Sequence, residues 1–287
     1  MIISLFIFIL SERRSKGTVF VAYLHMKKFY SAALFLILTF VSGFAQNPNE
    51  DWVTYIKQQE KGPMVITTNL YYNFLGKPNY KNLLLVGTNT RDCKKNGFPD
   101  ELGLAKFYML SDSIASKLDQ LTKNRLVGVV TYQCSGFDVY YLKDTLGVRK
   151  TLRSYLEYNY AFSKNYLLLK HDRKWQHYKE NLVPKDVSDV FFITHEYINQ
   201  LVIEGDDLKK PREIKHWVNF RNEKRRERFV EAAKKMRFTV DSLKVDRNGY
   251  YRYGAVLSRK DSIKPHIIVN LSKLMMKFTA AYAGVYN

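Results

Sequence analysis

RLVGVVTYQCSGFDVYYL, Arg125 to Leu142, reads as two strands folded back on each other. Arg125 to Tyr132 is rich in β-branched residues, which favour extended chain. Cys134-Ser135-Gly136 supplies a tight turn, and Phe137 to Leu142 returns. Helical patterns flank this hairpin on both sides. Upstream, Leu104, Phe107, Leu110, Ile114, Leu118 and Leu121 recur at spacings of three and four, one apolar face of an amphipathic helix. Asp112, Lys117 and Asp119 mark its polar face. Downstream, Val148, Leu152, Tyr155 and Asn159 space a second helix. Outside the helices lie two more extended runs, Leu83 to Gly87 and Tyr166 to Leu169. The order is strand, helix, strand, strand, helix, strand, the ferredoxin-like split βαβ arrangement.

Further out, Asp51 to Gln59 and Met64 to Tyr72 form a hairpin about Glu60-Lys61-Gly62-Pro63. Pro184 marks a boundary. After it, Val187, Val190, Phe191, Thr194, Tyr197, Ile198 and Leu201 make a helical stripe ending at Gly205. Ile214 to Arg221 is a strand, and Asn222 caps a helix whose inner face is Phe229, Ala232, Ala233 and Met236. Phe238 to Val245 and Tyr250 to Ser258 form a hairpin about Asn248-Gly249, a strong turn pair. Pro265 opens a last helix, with Ile268, Leu271, Met275 and Phe278 inward, and Ala283 to Asn287 is a stub of strand. The expected fold is therefore α+β: two ferredoxin-like (βαββαβ) domains, the first preceded by a β-hairpin and the second by a helix.

Met26-Lys27-Lys28, the apolar run Ala32 to Val41 and the small residues Gly43 and Ala45 have the order of a secretory signal peptide cut after Ala45. The run is too short for a membrane span, which needs roughly 20 residues. Met1 to Leu10 is a second short apolar run. Residues 1–25 are thus expected to be a mis-assigned upstream extension with Met26 as the true start, the alternative being a double-hydrophobic anchor. The expected organisation is leader 26–45, first domain 46–184 and second domain 185–287, with a destination outside the cytoplasm: periplasmic or secreted.

The chain carries 46 Lys and Arg against 27 Asp and Glu, a formal charge of +19. Arg13, Arg14, Lys16, Lys27 and Lys28 against Glu12 account for four of these, so +15 remains after Ala45. That surplus attracts anionic partners, an envelope protein or an anionic surface for an exported chain, or it serves solubility alone. Export argues against nucleic acid. The only cysteines, Cys93 and Cys134, are a candidate disulfide in an oxidising compartment. In the expected sheet their strands are separated by one other strand, about 10 Å. That exceeds disulfide reach unless the Cys93 loop folds over.

Leu208-Lys209-Lys210-Pro211-Arg212-Glu213-Ile214-Lys215-His216-Trp217-Val218-Asn219-Phe220, with Arg228-Phe229, Ala232-Ala233, Phe238-Thr239-Val240, Arg259-Lys260-Asp261-Ser262 and Gly284-Val285-Tyr286-Asn287, resembles the family of the regulator of ribonuclease E activity B. The resemblance implies a ferredoxin-like fold and a non-enzymatic regulator. That family commonly ends in Tyr, Asp, Gly and Trp, whereas Asn287 follows Tyr286 here. The stretch from Trp52 to about Pro184, through Tyr55, Asp172, Trp175 and Tyr178, resembles the domain of unknown function 695, which often precedes the first family in one chain.

No catalytic motif is legible: no GxSxG, GxGxxG, Walker loop or HExxH. His171 and His177 near Asp172 are six apart, a poor ligand spacing, and His195 lacks a second motif histidine. The expectation is no enzyme, no cofactor and no metal. His216 alternates with Ile214, Val218 and Phe220, so it reads as a satisfied core histidine. Trp217 shares the opposite face with Lys215, Asn219 and Arg221, and Arg252 on the neighbouring hairpin turns the same way if Tyr253, Ala255 and Leu257 fill the core. This face is the candidate partner surface, unless the first domain or the 187–204 helix covers it. The basic run Arg221 to Arg237 reads as a solvated helix face, with Glu223 pairing Arg226 and Glu231 pairing Lys235. Together these readings point to an exported, non-enzymatic binding or regulatory protein. The alternatives are a cytoplasmic regulator of a ribonuclease or nucleic-acid-linked partner, and an enzyme with an unrecognised site.

Overall fold

The computed structural model describes residues 50–74 and 78–287, so the expected leader over 26–45 and the extension 1–25 lie outside the described residues. β1 (Trp52–Gln59), β2 (Gly62–Asn69), β3 (Asn82–Asn89), β4 (Asn124–Tyr132), β5 (Ser135–Leu142) and β6 (Asn165–His171) form one sheet in the order β1-β2-β4-β5-β3-β6. All neighbours are antiparallel. The leading hairpin therefore extends the sheet, because β2 pairs with β4.

The sheet is covered on both faces, which is why β5 is buried along most of its length. α1 (Glu101–Leu121) and α2 (Val148–Asn159) cover one face. Asp100 starts α1 by accepting a hydrogen bond from the Gly103 amide. Leu110, Ile114 and Leu118 of α1 and Val148, Leu152 and Leu156 of α2 pack on Leu84, Val86, Tyr140 and Leu142. The segment after β6 folds back over the other face. Its Trp175, Tyr178 and Leu182 join Tyr55, Ile66, Leu83, Val127, Val139 and Tyr141 in an aromatic core. Asp172 holds this return in place: its carboxylate accepts from Tyr141 Oη and from the amides of Gln176 and His177.

The β4–β5 turn sits one residue earlier than expected. Gln133 and Cys134 are its two central residues, both left-handed with φ of 49° and 57°, and Tyr132 pairs with Ser135. Such a turn matches the twist of the strands it joins. Gly136 lies in β5 instead, where a Cβ would come 2.6 Å from the Phe107 ring.

β7 (Pro211–Phe220), β8 (Thr239–Val245), β9 (Tyr253–Ser262) and β10 (Gly284–Tyr286) form a second antiparallel sheet, ordered β10-β7-β9-β8. α3 (Asp189–Glu204) precedes it, α4 (Glu223–Lys235) joins β7 to β8, and α5 (Pro265–Ala281) joins β9 to β10. Val218, Phe220, Ala255 and Leu257 meet Phe229, Ala233, Leu271 and Met275 in its core. The molecule is thus α+β with two separate antiparallel sheets.

Three details here depart from the sequence reading. The β8–β9 connection spans 246–252, and Asn248-Gly249 is no two-residue turn; the Asp246 carboxylate accepts from the Asn248 amide, and neither residue has a positive φ. Glu231 pairs with Lys234 rather than Lys235. Arg226 is not solvated but buried: its guanidinium reaches Glu223 (2.6 Å) and the Lys244 carbonyl (3.2 Å) and lies over the Tyr253 ring. A charged side chain at the end of a helix turn thereby ties α4 to the β8–β9 hairpin.

α3 packs on β1 and on α5. Its buried stripe is Thr194, His195, Ile198 and Val202, while Val187 and Tyr197, expected inward, are exposed. The stripe is rotated because the helix lies along the open edge of β1, where His195 Nδ1 accepts the Ile56 amide at 2.9 Å. Ile198, Val202 and Leu208 then meet Ile56, Val65 and Phe98 in a shared cluster. Asp51–Asn287 accordingly form one compact unit.

Candidate functional site

Among the described residues, α4 and α5 pack on one face of the second sheet, and the other face holds the candidate partner surface. Backbone alternation along β7 puts His216, Val218 and Phe220 inward and Lys215, Trp217 and Asn219 outward. Trp217 is 49% exposed, so neither the first half nor α3 covers it, contrary to the covering expected as one reading. Val256 of β9 lies beside it in register and is buried by its neighbours.

Asn219 sits over Gly254, where an added Cβ would fall 2.8 Å from Asn219 Oδ1 and 3.7 Å from Lys244 Cβ. The glycine therefore lets a β7 amide and a β8 lysine close over β9. Arg221 follows β7 directly, and its guanidinium stacks 4.1 Å from the Tyr250 ring centroid and 5.4 Å from that of Tyr251. Arg252, expected on the same face, lies in the loop that leads into β9 and is exposed. It stands one residue before β9, and its Nε donates to the Gly249 carbonyl within its own loop.

Sequence reasoning missed Lys244, Gly254 and Tyr250. Lys244 and Gly254 follow from register alone, since Asn219, Gly254 and Lys244 lie in one row across three strands. Tyr250 comes from the loop, which no strand periodicity reaches. The face is balanced in charge toward one end of β7, where Lys215 and Lys260 offset the carboxylates, and basic toward the other. Glu213, 4.0 Å from Lys215, and Asp241, which accepts from Ser258 Oγ, stand toward one end. Arg221 and Lys244 stand toward the other, with Trp217 between.

On the inner side, His216 is buried as expected but only half satisfied. Nδ1 is 2.9 Å from Tyr286 Oη, while Nε2 has no partner among the described residues. Burial first, and Arg259 second, push its pKa down to about 4, against the pull of Asp261. Cys93 and Cys134 are joined, with Cα atoms 5.9 Å apart, because the loop 90–100 folds across the β4–β5 turn. His171 and His177 stay apart in role: His171 Nδ1 is 3.4 Å from Asn82 Oδ1 and His177 Nδ1 is 3.3 Å from Asn181. Among the described residues no three His, Cys, Asp or Glu are grouped to hold a metal ion.

Residues 50–183 match the Family of unknown function (DUF695), and residues 193–287 match Regulator of ribonuclease activity B. The two matches follow one another along the chain in that order. Their junction, 184–192, is the segment leading from the first sheet into α3. Neither a curated protein nor a solved structure matches the chain. The DUF695 residues quoted from sequence, Tyr55, Asp172, Trp175 and Tyr178, all lie at the aromatic face of the first sheet, so their role is packing. Those of the second family divide: Val218 and Phe220 are core, whereas Lys215 and Trp217 are surface. Among the described residues no helix is long and apolar enough to cross a membrane.

Proposed function

We propose that this is an exported, non-enzymatic regulatory protein that binds an acidic protein or anionic surface through the open face of its second sheet. The observation that carries the reading is the exposed Trp217 set between Lys215 and Asn219, with Arg221 held on Tyr250 at the strand end. A large aromatic on an otherwise polar sheet face is costly to leave in water, and such residues dominate binding energy once a partner covers them. The polarity of the face sets orientation: the partner's carboxylates fall toward Arg221 and Lys244. Both halves are ferredoxin-like in this reading, supported by a common strand order, β4-β5-β3-β6 in one and β8-β9-β7-β10 in the other.

Retention on an anionic resin and on anionic vesicles tests the surface. The protein is expected to bind and to be released as salt rises, since exposed charges interact over roughly 8 Å at physiological salt. The Lys215→Glu, Arg221→Glu double variant should elute at clearly lower salt, and Trp217→Ala should weaken binding at least tenfold, about 1.4 kcal/mol. Unchanged retention of both would make the charge a solubility feature and place recognition elsewhere.

Export rests on the Met26 to Ala45 pattern. N-terminal sequencing of the protein from its native cell is expected to begin at Gln46. An intact Met26 in a cytosolic fraction would instead favour a second reading, a cytoplasmic regulator of a ribonuclease, which the name of the second family supports.

A further inference from the structure

α3 joins the two halves, and its C-terminal turn is closed by side chains from the first half. The last carbonyls of any helix lack partners within it. Here Asn96 Nδ2 donates to the Val202 carbonyl at 2.8 Å, and Lys94 Nζ donates to the Ile203 carbonyl. The Lys94 chain also lies against Gly205, the left-handed residue that ends the helix. Phe98 of the same loop packs with Ile198, Val202 and Leu208.

This loop, 90–100, is itself fastened at the half-buried tip of the β4–β5 hairpin. The Thr90 amide donates to the Cys134 carbonyl at 2.8 Å, the Cys134 amide donates to the Gly97 carbonyl at 2.9 Å, and Cys93 is bonded to Cys134. The one covalent tie therefore sits one residue from Lys94 and three from Asn96. Both sulfur-bearing residues are only partly buried, so a small thiol can reach them.

We propose that the Cys93–Cys134 disulfide is a redox-sensitive clamp on the C-terminal turn of α3, and so on the coupling between the two halves. A dithiol reductant supplies two electrons and two protons. The Sγ–Sγ bond breaks, Cys93 and Cys134 become thiols, and the reductant closes its own disulfide. The loop then holds the helix end only by hydrogen bonds at a half-buried hairpin tip, and the Val202 and Ile203 carbonyls open to water. The second sheet keeps its own core, so the change is a local opening rather than unfolding. The clamp does not depend on which partner the open face takes.

Amide hydrogen exchange on the full chain, with and without dithiothreitol, tests this. The reporters are the amides of Gly205 and Asp206, which donate to the Val202 and Leu201 carbonyls in the oxidised protein. Reduction is expected to speed their exchange at least tenfold while amides of the β7–β9 ladder stay protected. The Cys93→Ser, Cys134→Ser double variant should behave as reduced protein without reductant. Asn96→Ala should reproduce part of the effect with the disulfide intact. Unchanged exchange at Gly205 and Asp206 after both thiols titrate would overturn the clamp. So would loss of protection throughout the chain, which would make the bond a global brace, or two titratable thiols before any reduction.

Discussion

Trp175→Ala is expected to lower the unfolding free energy by about 3–5 kcal/mol, the usual range for a buried aromatic cut back to alanine. Trp175 is 2% exposed and lies flat on Tyr141, with ring centroids 3.9 Å apart and planes 7° from parallel. Its indole Nε1 donates to the Tyr80 carbonyl at 2.7 Å. Tyr72 and Tyr178 flank it. Removing the ring opens a cavity in the middle of the aromatic core and leaves the Tyr80 carbonyl without that donor. Trp175→Phe keeps most of the packing and loses the hydrogen bond, so about 1–2 kcal/mol is expected. Urea unfolding at neutral pH measures both. A loss below about 1 kcal/mol for the alanine variant would mean that the 172–183 return does not hold the sheet as described.

Between pH 6.5 and 4 the protein is expected to lose stability through His195 and His216. Burial is the main cause of depression in each, to about 4 in the folded state against 6.5 unfolded. For His195, Asp186 opposes it, and the Ile56 amide requires an unprotonated Nδ1. A depressed histidine binds fewer protons folded than unfolded in this window. Its contribution is therefore complete above pH 6.5 and falls as the pH falls, by up to about 3 kcal/mol per residue.

Asp138 works the other way. Burial raises its carboxyl to about 7, with Asp112 adding to the rise and Ser111 opposing it, so its ionisation cost grows as the pH climbs from 3.8 toward 7. Asp186, held down to about 2 chiefly by Lys273, acts only below this window. Asp138→Asn should therefore steepen the loss of stability between pH 7.5 and 4.5, and His216→Phe should flatten it. Urea midpoints at those two pH values decide the matter. Equal slopes in the three proteins would show that these buried groups are not the ones that titrate.

The order of the longer elements was legible because most of them have a strong period of their own; the short helices Tyr71–Phe74, at the end of a stretch expected as strand, and Tyr178–Leu182 were not. The face of α1, the cap at Asn222 and the start of α5 at Pro265 all follow from spacing and capping chemistry within a few residues of chain. The alternation of β7 likewise told inner from outer side chains, which is why Lys215, Trp217 and Asn219 could be grouped before any sheet was known. Charge, leader pattern and the two family segments are also properties of the linear chain.

What surrounds a face is not local. Whether Trp217 is covered depends on where α3 goes, and α3 goes to the edge of β1, where Ile198 and Val202 bury against Ile56 and Val65 and His195 takes the edge amide of Ile56. Arg226 lies in a run that looks solvated, yet hairpin β8–β9 folds over it and supplies the carbonyl and ring that make burial tolerable. Cys93 and Cys134 lie 41 residues apart, and strand spacing alone set them out of reach. The loop 90–100 brought them together because its backbone finds hydrogen bonds at a turn that only the assembled sheet presents. Sequence fixes a residue's own conformational preference, but burial, pairing and proton affinity belong to the neighbours that distant parts of the chain deliver.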